Sequence, residues 1–474
     1  MIEVPETMFD VFALALPAGL AFGRNPPKSA WQSENGLTCG VLTRNDDDGS
    51  FGVLIMRRRV DDVWVVLRRD GGLTTKGEAM AVVESFVNAN AAAEPMPPGV
   101  ARRRFLGDLE DREPSAIFQV LARPTHHIAL WLLNQLYLAM PNPDDNWTGD
   151  CQTINFHTRM WEAQLFAALR EQGHTVKQDF PSPDFYISNR RGSEAWIEAV
   201  TANPADPYDH VNAERFVPPK DMRERLLGPM AVRFAKTLRN KTAKGYDRMP
   251  HVAGMPFALA IADFQAAMSM FWSREALICY LYGIFVHAVE QDGKRVAVAE
   301  KVDTLLGPEK IPSGFFNEPA NAGVSAVIFT NACSISKLNR VGISAGANPK
   351  GFRYIRMGEF ADRTEGALNG IPFVLDITSA AYRKLWDPYP YEPWSAELEV
   401  FHNPNATHPL PDDLLPEATH HADIDGELRS RFFFGTSVLF SMTRIQPQDA
   451  PVPTVEDLLG ASSKAVPDGE IGEG

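Results

Sequence analysis

Apolar residues recur at helical spacing from Arg159 to Gln172, with no Gly or Pro inside the segment and Gly173 directly after it. That pattern predicts a helix stopped by a glycine at its C-terminal end. Leu165, Phe166 and Leu169 follow Glu162 on the same side of a 3.6-residue repeat, so the helix carries a carboxylate on its apolar face. Shorter runs come next: Thr175 to Phe180, Asp184–Ser188 and Glu194–Val200, the last two joined by the turn residues Asn189-Arg190-Arg191-Gly192. A hairpin centred near Arg191 sets Asp184 opposite Glu198 and Tyr186 opposite Trp196, with Phe185, Ile187, Ile197 and Ala199 on the greasy reverse face. Met230 to Lys244 then has a helical pattern, and the apolar run Pro256–Ile261 reads as a buried strand.

Elsewhere the pattern divides the chain into regions. Residues 1–110 read as an α+β unit, with strands at Leu37–Thr43, Phe51–Met56 and Val63–Leu67 and a helix at Glu78–Asn90. Residues 115–140 form a long apolar helix with a break near Pro124, and His126-His127 serve packing or a hydrogen bond there, because adjacent residues do not share a helix face. Gln265–Val289 is expected to be a helix pair and Val324–Thr330 a buried strand. Residues 351–445 are strand-rich, with candidates at Phe352–Met357, Pro372–Ile377 and Phe432–Thr443, and a Pro-, Gly- and acid-rich disordered tail is expected from about Gln446. The core falls between these flanks, at 111–350. Gly342-Ile343-Ser344-Ala345-Gly346 matches Gly-x-Ser-x-Gly, but the loop-forming Asn348-Pro349-Lys350-Gly351 follows where a nucleophile elbow needs a helix, so the match is read as chance.

A hydrophobic fraction of 45% over 474 residues supports two or three packed cores. The net charge of −14 excludes indiscriminate coating of nucleic acid while leaving room for a local basic face. One such face is legible: nine basic residues stand against three acidic ones between Lys220 and Arg248. Cys39, Cys151, Cys279 and Cys333 are far apart, which suits a reducing cytoplasmic setting and offers no zinc signature. No run qualifies as a membrane span or, with Glu3, Glu6 and Asp10 at the start, as a signal peptide.

The chemistry lies in the acids. Glu162 on an apolar helix face is costly unless a cation meets it, and a salt bridge to an arginine such as Arg159 is the plainer reading. Asp184 and Glu198 on facing strands repel unless a metal or a proton lies between them. Together the three make a cage of hard oxygen ligands suited to Mg²⁺ or Mn²⁺. In the order helix glutamate, Gly, strand, Pro183-Asp184 strand, Glu198 strand, the segment resembles the PD-(D/E)XK, or restriction-endonuclease-like, nuclease superfamily. The resemblance implies an α/β (mixed α+β) fold with a restriction-endonuclease-like core sheet flanked by helices. It implies that Asp184 and Glu198, with the Ala199 carbonyl, hold a metal, and that Glu162 binds a second ion or a metal-bound water. Val200 stands where the family carries its lysine, so Lys241 or Lys244, ahead of Tyr246, is the expected replacement, with Lys177 behind them. Arg190, Arg191, Arg233, Lys236 and Arg239 are the expected nucleic-acid contacts. Trp394–His402 with Asn403-Pro404-Asn405 resembles, more loosely, bacterial proteins of unknown function that share the acidic core. The implied activity is metal-dependent phosphodiester hydrolysis of nucleic acid, DNA ahead of RNA, in a bacterial role such as defence. The alternative is an inactive nuclease-like fold that binds nucleic acid or a protein partner.

Overall fold

The computed structural model describes residues 1–13, 22, 24–107, 109, 112–203, 219–266, 268–291, 294–364, 367 and 370–457. The fold is mixed α/β. An antiparallel five-stranded sheet comes first, in the order β1 (Ile2–Val4), β2 (Pro27–Gln32), β3 (Thr38–Arg44), β4 (Phe51–Arg58), β5 (Trp64–Leu73). Helix α1 (Glu6–Ala13) follows β1, and α2 (Lys76–Val87) covers the sheet through Ala79, Val83 and Val87. Thr75 and Glu78 start α2 with a reciprocal capping box. The long apolar segment breaks at Pro124 into α3 (Ala116–Leu121), a 3-10 turn and α4 (His127–Ala139). His126 bonds Asn339, and His127 lies against the Pro124 and Asn348 carbonyls, the hydrogen-bonding role expected of them.

The organising part follows α5 (Trp147–Gln152). Helix α6 (Phe156–Glu171) ends before Gly173, whose φ of 83° no β-carbon would favour. Strands β6 (Thr175–Lys177), β7 (Phe185–Ser188) and β8 (Glu194–Ala202) make an antiparallel meander; α7 (Met222–Leu227) and α8 (Pro229–Thr242) cross over, and β9 (Phe257–Asp263) returns parallel to β8. After α9 (Ser273–Tyr282) comes the separate hairpin β10 (Ile284–Gln291) and β11 (Lys294–Lys301), then β12 (Ala326–Thr330), parallel to β9, and α10 (Ile335–Ala345). The chain continues through β13 (Phe352–Phe360), β14 (Ile371–Asp376), α11 (Ala380–Lys384), β15 (Glu399–His402), β16 (Thr419–Ile424), β17 (Glu427–Arg431) and β18 (Val438–Pro447). The main sheet has eight strands in the order β17-β16-β15-β12-β9-β8-β7-β6, and β14-β13-β18 form a third sheet.

Strand β9 is buried along its whole length, and its two faces differ in kind. Ala258, Ala260 and Ala262 face the cluster that holds α4, α6 and α10, while Phe257, Leu259 and Ile261 face the cluster of α7, α8 and α9. The small residues let α6 approach closely, and Trp161 Nε1 donates to the Ala260 carbonyl at 2.9 Å. The first apolar cluster is continuous from Val41, Leu54 and Trp64 through α6 to Tyr354 and Phe373 of the last sheet.

Three expectations change. Gln265–Val289 is not a helix pair: Gly283, at φ 69°, ends α9, and Ile284 onward pairs in a hairpin suited to β-branched residues. Phe432–Thr443 is not one strand, because Phe432 to Ser437 separates β17 from β18. The tail does not start at Gln446, which is buried and paired with Arg353 in β18; residues 458–474 of that tail lie outside the described residues. Ser344 sits near the end of α10, donating to the Val341 carbonyl and accepting from the Glu392 N–H, so Gly342 to Gly346 is no strand-to-helix elbow. No helix among the described residues is long and apolar enough to cross a membrane.

The last region is tied to α10 by buried charge. Glu392, fully buried, accepts from Lys337 Nζ at 2.9 Å and from Arg340 Nε at 3.0 Å, with Arg356 at 3.7 Å. Burial pushes its carboxyl up, but Arg340, Lys337 and Arg356 together hold it well below the usual range. Glu392→Gln leaves the buried Lys337 without its carboxylate and Arg340 and Arg356 with Glu397 alone, and is expected to cost about 3–5 kcal/mol of unfolding free energy. Urea denaturation reads this as a lower midpoint, and an unchanged midpoint would contradict it.

Candidate functional site

Register decides which acids meet. Phe185 pairs with Ile197 and Tyr186 with Trp196, so Asp184, one residue before β7, comes level with Glu198. Alternation along β8 sends Ala195, Ile197 and Ala199 toward the α6 side and Trp196 and Val200 toward the α8 side. Glu198 shares the second face and is 4% exposed. Its Oε1 accepts from Lys241 Nζ at 2.7 Å and from the Tyr246 hydroxyl at 2.7 Å. Its Oε2 is buried with no hydrogen-bond donor among the described residues. Asp184 is half-buried, and its Oδ2 accepts from the Ala199 N–H at 2.7 Å. Burial first, then repulsion from Glu198 and Glu162, raise the Asp184 carboxyl well above the usual carboxylate range, against the pull of the Ala199 N–H and Lys241.

Glu162 occupies the inward face of α6 and is 8% exposed. Arg159 NH1 donates to both its oxygens, at 3.0 and 3.1 Å, and Trp147 Nε1 donates to Oε2 at 3.1 Å. The plainer reading of Glu162 is therefore present in the structure. Arg159 also reaches Asp150 at 2.6 Å and Asp144 at 3.3 Å, so one guanidinium bridges three acids. Burial still raises the Glu162 carboxyl, with Arg159 and Trp147 opposing the shift.

Of the three lysines considered, Lys241 approaches the acids. It lies three positions after Leu238 and seven after Phe234, both buried, so it shares the inward face of α8. Lys244 lies beyond the helix end, exposed, 5.8 Å from the centre of the Tyr246 ring, and Lys177 lies 5.5 Å from the Tyr186 ring. The basic residues of α8 are engaged elsewhere. Lys236 pairs with Glu309 at 2.7 Å, Arg239 with Glu318, and Arg233 donates to the Asn203 carbonyl. Arg190 and Arg191 stand exposed on the β7–β8 turn.

Sequence reasoning named Tyr246 only as a marker after the lysines, and it missed Trp147 and Asp150. Tyr246 is brought to Glu198 by the α8–β9 connection, and Trp147 to Glu162 by α5, contacts with no local signature.

Asp184 and Glu198 offer hard oxygen donors of the kind a divalent cation takes, but among the described residues Glu162 does not join them in one three-ligand group, its oxygens being held by Arg159 and Trp147. One buried carboxylate oxygen lacks a donor, and the facing carboxylate resists ionisation without added positive charge. No family model, curated protein or solved structure matches the chain.

The raised Asp184 pKa carries a stability consequence. Its unfolded value is about 3.9. The folded state binds this proton more tightly, so the contribution is present below the unfolded pKa and is lost as pH rises through the folded one. In EDTA, Asp184→Asn is expected to melt with the wild type near about pH 4 and progressively above it as pH rises. Glu198→Gln is expected to show no such gain, because it gives up the Lys241 pair. Thermal melts across pH decide it; an Asp184→Asn variant that melts below the wild type throughout would show that this carboxylate stabilises the fold.

Proposed function

We propose that this chain is a Mg²⁺- or Mn²⁺-dependent phosphodiesterase acting on nucleic acid, DNA ahead of RNA, on a core of the PD-(D/E)XK kind. The observation that carries the proposal is Glu198, held through one oxygen by Lys241 and Tyr246 while its other oxygen, buried opposite Asp184, has no donor among the described residues. The chain order supports the reading. A glutamate-bearing helix, a three-stranded meander, a crossover helix and a strand parallel to β8 follow one another as the resemblance implies. Lys241 supplies from α8 the cation that Val200 cannot supply from β8.

Asp184 and Glu198, with the Ala199 carbonyl, would hold the ion, and Glu162 would take a second ion or its water. A bound ion supplies Lewis acidity and a more acidic attacking water. The protein's own groups divide the remaining work. Lys241 sets a positive charge beside the place where phosphoryl charge develops. Tyr246 fixes the orientation of Glu198 by donating to Oε1. Arg159 favours the ionised form of Glu162 against burial. The exposed Arg190 and Arg191 are the phosphate contacts of this reading, since Lys236 and Arg239 already have carboxylate partners. Near the acids, Phe180 is exposed and stacks on His251 at 3.9 Å, a face suited to an unstacked base.

A second reading, an inactive fold of this kind that binds nucleic acid or a protein, rests on Val200 and on the Arg159–Glu162 pair.

Cleavage of plasmid and single-stranded substrates with Mg²⁺ and Mn²⁺ tests the proposal. Glu198→Gln is expected to abolish cleavage, and Lys241→Met to lower it by roughly 10²–10³-fold. Lys244→Met is expected to leave it close to wild type. In the same buffers, metal should raise the melting temperature of the wild type and not of Asp184→Asn, because only binding to the folded state shifts the equilibrium. No cleavage together with no metal shift would leave the second reading standing.

A further inference from the structure

A second cluster of donors lies at the other end of the main sheet, separated from β8 by β9 and β12. His402 ends β15, and His420 is the second residue of the parallel neighbour β16, where it pairs with Val400. The two histidines are thus diagonal neighbours on one face. His402 Nε2 and His420 Nδ1 are 2.8 Å apart, and Asp412 Oδ1 lies 3.6 Å from His402 Nε2. Asp412 comes from the connection between the two strands, in the 3-10 turn Asp412–Leu414. One donor atom from each of the three residues lies within 4.8 Å of the others.

The surroundings fix which atoms are available. His420 Nε2 lies 2.8 Å from the Leu415 carbonyl, which can only accept, so the ring proton sits there and Nδ1 presents a bare lone pair. That is the arrangement in which a ligating imidazole is held by a backbone carbonyl on its far side. Asp412 Oδ2 is taken by Arg431 at 3.0 Å, which leaves Oδ1 on the histidine side. The adjacent His421 is engaged at both nitrogens, by Glu399 at 2.7 Å and Ser430 at 2.8 Å, and takes no part. His420 is buried, His402 partly so, and Asp412 is exposed, so the cluster opens to solvent on one side.

We infer that His402, Asp412 and His420 form a Zn²⁺ site, separate from the acidic cage and independent of the phosphodiesterase reading. Two imidazole nitrogens and one carboxylate oxygen suit a borderline cation and not Mg²⁺ or Ca²⁺. Three protein ligands leave a fourth, solvent-facing position of a tetrahedral ion. Without metal, His402 Nε2 donates its proton to His420 Nδ1. With metal, that proton moves to His402 Nδ1, so a neutral pair takes the ion with no net proton release. The exposed Asp412 side chain closes by rotation. The ion would pin the connection from β15 to β16, whose Leu414 and Leu415 are buried in the core.

Chelator-treated full-length protein titrated with ZnCl₂, with bound zinc counted by atomic emission and its ligands read by X-ray absorption, tests the site. One zinc per chain is expected, with an absorption spectrum showing two imidazoles, and it should persist in Glu198→Gln. His402→Ala is expected to weaken it at least about a hundredfold, and Asp412→Asn by about tenfold. Asp412→Asn alters only an exposed side chain and remains informative if the histidine variants fail to fold. Failure of the wild type to retain zinc, loss of zinc in Glu198→Gln, or zinc unaffected by both His402→Ala and Asp412→Asn would overturn the assignment. Because Glu198→Gln removes the cage and spares this cluster, failure here leaves the cleavage tests untouched.

Discussion

The β7–β8 register forces two carboxylates to face each other at the margin of a buried sheet. Shifting it by one residue would turn Glu198 to the α6 side, beyond the reach of Lys241 and Tyr246, and turn Ile197 and Ala199 out of that apolar face. The Tyr186–Trp196 pair on the same face as the acids, with rings 5.2 Å apart, helps hold that register. The repulsion it creates is only partly offset. Lys241 and Tyr246 attend Glu198, while Asp184 has the Ala199 N–H and takes most of the strain as a raised pKa. Like charges kept together in this way are a fold-level cost, which the cation of the proposed function would offset.

The packing around β9 explains how side chains from both layers converge on those strands. Alanines on one face admit α6 and its Trp161, and large residues on the other carry α8, which delivers Lys241. Both helices are rigid supports, and a site held by packed helices and strands is more narrowly positioned than one on loops. Buried charge further along, between α10 and the Glu392 segment, locks the last region onto the same body.

Charge is distributed in a way that composition hides. The basic stretch from Lys220 to Arg248 is largely neutralised by the chain's own acids, Glu300 on Arg223, Glu309 on Lys236 and Glu318 on Arg239. Lys241 differs, because its carboxylate is part of the acid pair itself. An acidic protein can therefore present one cation to its own site without offering a broad basic surface to polyanions.

Much of this was legible in the residues. The α6 span and its glycine stop, the β7–β8 hairpin with its register, the buried β9 and the break at Pro124 all follow from short-range pattern, because periodicity and turn chemistry act over a few residues. Glu162 on an apolar face and Asp184 opposite Glu198 were readable for the same reason. The choice of Lys241 over Lys244 was not, since it depends on where α8 ends and how it crosses β8. Nor were the strand after Gly283, the Arg159–Asp150 bridge, the acids that occupy Lys236 and Arg239, or the meeting of His402 with Asp412 and His420. Each depends on side chains brought together from separate elements, and in a local pattern a charged residue looks the same whether its partner is solvent or a carboxylate 70 or more residues away, as with Lys236 and Glu309. Only packing decides between them.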